Sequence, residues 1–384
     1  MTIVLSSSCS LLLSIKRIKL KRGMEMEAAV EKTGMNRIQV VQYIAAVLVI
    51  CVHCGPILED PLFNYVIKNI FCRVAVPFFA VSTAFFVREK SRTQPEYFSS
   101  YLYSLAKNYL IWSLVFLPLG VQWIQQNMTL PIYLYPMALL VGLFYVGTFY
   151  HLWYMPALIF SLWLVRRLVR RYSYRVLLMG FGVLYLFGCL ETYHGLLDNG
   201  LFIRTLIDYY LQFFVTTRNG LLFLCIFVTL GFLISDFRTK LTKEQHLWGL
   251  TISTIGLLAE GLLLFKTDYL DMNFLVMLLP VSFYLFLWAL KGSFAAPVTR
   301  WKSLGNQYYF IHPYAIAIID RVLPQTGMLQ FILVILVTHG LSLLVLSFLS
   351  LTSSGKFSTN SLKRWLIKYM MIKKEKGTFT KWKT

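Results

Sequence analysis

The feature that most constrains this chain is the recurrence of apolar runs about twenty residues long. A helix rises 1.5 Å per residue, so about 20 apolar residues cross the hydrocarbon core of a bilayer. Such runs lie near residues 38–58, 70–87, 103–120, 151–168, 176–190, 220–235, 247–265, 274–290, 303–320 and 329–351. With 57% apolar and only 14% charged residues, the chain departs from the roughly 45–50% and 25% of soluble domains. An ordinary globular enzyme and a disordered chain are thereby excluded. The abundance of Tyr (23) and Phe (30) suits interfacial and intramembrane rings. The expected fold is an all-α, polytopic transmembrane helical bundle of about ten spans.

The net charge of +20 takes its meaning from where the cations sit. With both termini cytoplasmic and ten spans, most Lys and Arg fall inside. They include Arg88, Lys90 and Arg92, the Arg166–Arg167/Arg170–Arg171 cluster and the Lys-rich tail. Counting the apolar stretch 132–150 as another span would put the arginine cluster outside, against the positive-inside rule. That stretch is short and broken by Pro and Gly, so a re-entrant or interfacial piece is expected. The basic balance therefore reads as topology and attraction to anionic lipid, with no nucleic-acid partner. Residues 1–35 form an atypical basic segment whose charges follow its apolar part, unlike a secretory signal. Met24, Met26 and Met35 are each a possible start. The transmembrane domain is expected over 36–351 and a basic cytoplasmic tail over 352–384. Cys51 and Cys54 form a CxxC at a helix end, but without a second pair they read as small apolar packing residues.

Ionisable groups inside spans cost several kcal/mol and so mark functional candidates. In the first run Gln42 and His53 are close to three helical turns apart, on one face and about 16 Å from each other. Either they line a cavity open to the outer side, or His53 is simply hydrogen-bonded between helices. Arg73 lies near the outer end of the second run, level with His53 if the two helices pair, and Pro77 bends that helix. His151 opens the fourth run among interfacial aromatics. Glu260 is mid-span in the seventh with no cation in its own helix, so it must be paired, protonated or facing a cavity. The ninth run carries Tyr308 and His312 before Pro313, where a missing backbone bond suits a polar cavity. His339 in the last run reads as packing. Arg218 and Asn219 stand at a helix start, which makes either an anion site or a cap. No P-loop, dinucleotide fingerprint, zinc pattern or nucleophile elbow is present, so no bound cofactor or metal is expected.

Taken in order, Asn36-Arg37, the run to His53, Cys72-Arg73-Val74-Ala75-Val76-Pro77-Phe78-Phe79, His151-Leu152-Trp153-Tyr154 and Tyr308-Tyr309-Phe310-Ile311-His312-Pro313 resemble the acyltransferase 3 family of membrane acyltransferases. The resemblance extends over about residues 36–350. Within that family, Arg73–Phe79 and Thr217-Arg218-Asn219-Gly220-Leu221 are most similar to the membrane half of vancomycin-resistance serine racemases. The resemblance implies a bacterial plasma-membrane enzyme taking an acyl group, acetyl above all, from acyl-CoA to a hydroxyl of a cell-envelope carbohydrate or similar small acceptor. It further implies His53 as general base, Arg73 and Arg218 steadying anionic groups, and His151, Asn219, Tyr308 and His312 lining the site. Glu260 is a possible proton partner. The family usually has Arg where this chain has Gln42, which removes a cation suited to an anionic donor. A second implication is a membrane component supplying L-serine or another small amino acid to a separately encoded partner such as a racemase. No racemase domain is expected in the short stretch after the last run.

Overall fold

The computed structural model describes residues 36–127, 131–237, 242–291, 299–323 and 326–353. The expected segment 1–35 and nearly all of the tail 352–384 lie outside the described residues. Among the described residues the architecture is wholly helical. The principal helices are α1 (Asn36–His53), α2 (Ala75–Thr93), α3 (Tyr97–Asn127), α4 (Tyr154–Leu168), α5 (Tyr174–Cys189) and α6 (Phe202–Phe214). They continue as α7 (Cys225–Phe237), α8 (Lys243–Leu263), α9 (Leu278–Lys291), α10 (Thr299–Val322) and α11 (Gly327–Ser353).

Among the described residues, six helical stretches are long and apolar enough to cross a membrane: α1, Pro61–Thr93, α3, Gly220–Phe237, α8 and α11. The other four apolar runs form α4, α5, α9 and α10. Residues 132–146 do not make one long helix. They form a 3-10 turn, the short helix Tyr135–Val141 and a π-turn ending before Gly147, as the Pro and Gly punctuation predicts. Helix α6 falls between the expected runs 176–190 and 220–235, where no span is expected. It leaves Phe202, Tyr209, Phe213 and Phe214 exposed.

Local chemistry sets several helix starts. Ser173 Oγ accepts from Val176 N at 3.5 Å ahead of α5. Thr242 and Gln245 form a reciprocal capping box before α8, at 3.3 and 2.8 Å. Asn219 Oδ1 accepts from Leu221 N and Leu222 N, both at 2.9 Å, before the π-turn that leads into α7.

Helix α7 is the inner element, with Phe223 and Phe227 before and within it and Phe232 near its end all fully buried. It packs on α2, α4 and α5. A Cβ on Gly231 would stand 2.4 Å from the Val81 carbonyl oxygen, so only glycine lets the α7 and α2 backbones approach this closely. Helix α1 packs its Ala46 and Ile50 face with Tyr308, Ala315 and Val334 of α10 and α11, and its Ala45 and Val49 with Ala75 of α2. The end of α1, the start of α2 and the middle of α10 thus come to one place.

Candidate active site

His53 is the last residue of α1, and its ring stacks on that of His312, with centroids 5.3 Å apart and planes 22° from parallel. Tyr150 covers it at 4.6 Å. His151 meets His312 edge-on at 5.3 Å. Three imidazoles from three segments therefore form one cluster. Each is placed by a specific contact. Beyond His53 the chain is clamped by Lys68, whose Nζ donates to the Cys54 and Gly55 carbonyls at 2.5 and 3.1 Å. Gly55 N donates to Gln330 Oε1 at 3.0 Å, and Gln330 Nε2 to Asp320 Oδ1 at 2.9 Å. Lys68 belongs to a π-turn, Val66–Phe71, a distortion frequent at functional sites.

His312 Nδ1 lies 2.9 Å from the Tyr308 carbonyl oxygen. A carbonyl only accepts, so Nδ1 carries a proton, and in the neutral ring the lone pair is then on Nε2. That Nε2 is buried without a protein hydrogen bond, and so are both ring nitrogens of His151. The 150–153 turn owes its position to Gly147, at φ +81°, where a Cβ would lie 2.4 Å from Trp153 N. The imidazoles meet through stacked and edge contacts. Among the described residues, no group of three or more His, Cys, Asp or Glu is arranged to hold a metal ion.

Three cations stand within electrostatic reach of His53: Arg73, Arg218 and Lys68. Arg73 donates to Asn273 Oδ1 at 2.7 Å and to Asn69 Oδ1 at 2.9 Å, while its Nε is buried and unpartnered. Arg218 pairs with Asp271 at 2.6 Å, and Asn273 Nδ2 donates to the same carboxylate. Asp271 and Asn273 thus join the two arginines in one network. Both of Arg73's carboxamide partners are neutral, so the single carboxylate of this network leaves net positive charge beside the histidines.

The loops that carry this network are pinned by Glu191 and Thr192. The buried Glu191 carboxylate accepts from Thr217 N at 2.7 Å and from the hydroxyls of Thr216 and Thr217 at 3.3 and 2.5 Å. Burial pushes the Glu191 carboxyl above its ordinary range, while the Thr217 hydrogen bonds and nearby Arg218 oppose that rise. Thr192 Oγ1 donates to the Asp271 carbonyl at 2.6 Å and accepts from Phe274 N at 3.2 Å. Just before this loop Val215 adopts φ 64°, a strained state for a β-branched residue costing about 1–3 kcal/mol. It turns the chain from α6 into Thr216–Asn219.

Several predicted residues sit elsewhere than the histidine cluster. Gln42 Nε2 donates to Ser82 Oγ at 3.0 Å, tying α1 to α2. Asn219 is a cap, its Nδ2 spent on the hydroxyls of Tyr145 and Tyr210 at 3.2 and 3.1 Å. Glu260 holds the backbone leading into α9, accepting from Val276 N and Met277 N at 2.5 and 2.8 Å and from the Tyr193 hydroxyl. There its charge meets the positive end of a helix dipole, which resolves how a mid-span carboxylate is tolerated. Tyr308 serves the site through its carbonyl. Its hydroxyl links Tyr43 at 3.1 Å to His339 Nδ1 at 2.8 Å, so His339 is hydrogen-bonded and not only packed. Residues absent from the sequence reading are Lys68, Asn69, Tyr150, Asp271 and Asn273. Asp271 had one available signal: acidic residues are scarce here, 17 Asp and Glu against 37 Lys and Arg, and this one closes a short polar loop between two apolar runs.

Fold and site together define a polytopic membrane protein with an imidazole cluster and paired guanidinium groups at one end of the bundle. The acyltransferase 3 family pattern, an acyltransferase domain, matches residues 35–347, and the chain belongs to that family. It is 28% identical over 330 residues to an "Amino-acid racemase" of Enterococcus faecalis, covering 82% of this chain and 46% of that protein. It is 30% identical over 317 residues to a "Serine/alanine racemase" of Enterococcus gallinarum, covering 77% and 44%. The chain spans less than half the length of these curated relatives. No solved structure matches it.

Proposed function

We propose that the protein moves an acyl group from acyl-CoA to a hydroxyl of an envelope carbohydrate or similar acceptor, with His53 as the general base. The observation that carries this reading is the His53–His312 stack beside the Arg73–Asn273–Asp271–Arg218 network, inside an acyltransferase domain. An imidazole nitrogen of His53 takes the acceptor's hydroxyl proton as its oxygen attacks the thioester carbonyl. The C–O bond forms, the C–S bond breaks and the CoA thiolate leaves, accepting a proton. Arg73 and Arg218 steady the oxyanion or an anionic part of the donor, a task suited to guanidinium forks. The second cation-rich surface, Arg166 to Arg171 at the opposite end, suits the phosphates of CoA. Arg166 lies 3.9 Å over the Phe98 ring with one buried, unpartnered guanidinium nitrogen.

The names of the relatives favour one other reading, delivery of a small amino acid such as L-serine to a separately encoded racemase. Membrane vesicles given acetyl-CoA labelled on the acetyl group separate the two. Under the transferase reading, labelled envelope material forms and falls at least about 100-fold in His53→Ala, the usual weight of a general base. Label undiminished in that variant removes His53 from the chemistry. Absence of label together with serine accumulation replaces transfer by delivery.

A further inference from the structure

Where α5 begins and α7 ends lies an open hollow of about 470 Å³, lined by Ser173, Tyr174, Arg175, Leu233 and Phe237. It belongs to the Arg88 end of the bundle, because Asp236 accepts from both Arg88 and the Tyr174 hydroxyl. The positive-inside rule puts that end at the inner leaflet. The lining has two characters. Leu233, Phe237 and the Tyr174 ring form an apolar wall, the two rings 5.7 Å apart and 80° from parallel. Ser173 Oγ accepts from Val176 N at 3.5 Å, which leaves its O–H to donate. Arg175 is exposed and has no carboxylate partner among the described residues, since Asp236 is spent on Arg88 and Arg92. Arg170 and Arg171, in the turn just before α5, are likewise exposed and without an ion pair among the described residues.

An apolar track leads away from this hollow. Val176, Met179, Val183 and Leu186 are exposed on one face of α5. From Val176 to Leu186 the helix rises about 15 Å, half of the roughly 30 Å hydrocarbon core and so the depth of one leaflet. The exposed Tyr172 precedes it at the level where interfacial aromatics gather.

We infer that this hollow is a binding site for one anionic phospholipid of the inner leaflet. The lipid phosphodiester accepts from the Arg175 guanidinium, whose fork suits phosphate oxygens, and from the Ser173 hydroxyl. The acyl chains cover Leu233, Phe237 and the α5 track. A free phosphate or a nucleotide would use the cations and leave the apolar wall bare, whereas a phospholipid uses both. The site does not depend on what the histidine cluster does.

Native mass spectrometry of the full chain in detergent micelles tests this, with dioleoyl phosphatidylglycerol and dioleoyl phosphatidylethanolamine titrated separately. The first phosphatidylglycerol should bind at least about fivefold more tightly than phosphatidylethanolamine, the weight of one cation at a membrane surface. Arg175→Ala should remove that preference while phosphatidylethanolamine binding stays, which shows that the variant is folded. Arg175→Lys should keep most of it. Arg167→Ala should leave it intact, because Arg167 lies over the Trp163 ring at 5.7 Å and is not part of the lining. Equal binding of the two lipids by the parent, or equal losses in Arg167→Ala and Arg175→Ala, overturns the site. Displacement of phosphatidylglycerol by inorganic phosphate or by coenzyme A at matched concentration overturns the ligand class and gives Arg175 to a soluble anion.

Discussion

Arg73 and Arg88 stand at opposite ends of one helical stretch, about 22 Å apart at the rise of a helix, and their surroundings differ in kind. At the Arg88 end the guanidinium is met by a carboxylate. Asp236 accepts from Arg88 Nε and Nη2 at 2.9 and 2.8 Å, from the Tyr174 hydroxyl at 2.5 Å, and from Arg92. Glu89 pairs with Arg92 at 3.2 Å and accepts from Ser235 at 2.9 Å. This network joins α2, α7 and the start of α5. At the Arg73 end the guanidinium has carboxamide partners, one nitrogen is unpartnered, and its charge reaches His53 of the histidine cluster. A satisfied network gives rigidity, whereas an under-satisfied buried one is costly unless it serves chemistry. The same helix thus carries a fastener at one end and a candidate reaction site at the other.

The contrast is most sharply tested by His312→Ala. Removing the stacked partner of His53 should lower transfer about 10- to 100-fold, with thermal stability in detergent falling much less than a network loss would cause; a collapse of stability with unchanged turnover per folded molecule would move His312 into the structural class. Asp236→Asn should do the opposite, costing about 1–3 kcal/mol of stability, as for a hydrogen-bonded charge that loses its partners. Turnover per folded molecule should remain, and a selective loss of turnover would erase the distinction between the ends. A smaller effect is expected from Asp271→Asn, which frees Arg218 while keeping its shape. Donor KM should change by about tenfold or less, a shift of up to 1.4 kcal/mol, with the melting temperature nearly constant. The smallest is Gln42→Arg. Introducing the cation that the family resemblance implies at this position should lower donor KM by about two- to fivefold, within the worth of a partly exposed charge contact. A rise in KM would show that the Gln42–Ser82 bond matters more than the missing charge.

Much of the architecture was legible because lipid leaves few options. Apolar runs of spanning length, Pro and Gly punctuation and the charge asymmetry marked where helices form and where 132–150 breaks. His53, Arg73, His151, Arg218 and His312 were visible as polar groups where burial is expensive. Helix α6 was less legible, because its polar residues resemble those of a loop and its exposed face carries the rings. Glu260 and Asn219 were ambiguous in a consistent way: a carboxylate in a span and a polar residue at a helix start signal either function or backbone capping, and only the donors around them decide. Asp271 and Asn273 gave little warning, since the loop that holds them is short and their partners lie about 53 and 200 positions away in sequence.

The sequence by itself determined that this chain is a helical membrane bundle of the acyltransferase 3 family, because hydropathy, charge placement and short ordered motifs are local properties. Only the tertiary structure decided which polar residues meet. It stacked His53 on His312, fixed the proton of His312 on Nδ1 through the Tyr308 carbonyl, and joined Arg73 to Arg218 through Asn273 and Asp271. It also gave Glu260, Asn219 and the Tyr308 hydroxyl to the scaffold. The physical reason is that burying a polar group is costly wherever it occurs, but which partner offsets that cost depends on helix packing, and packing is set by contacts remote in the chain.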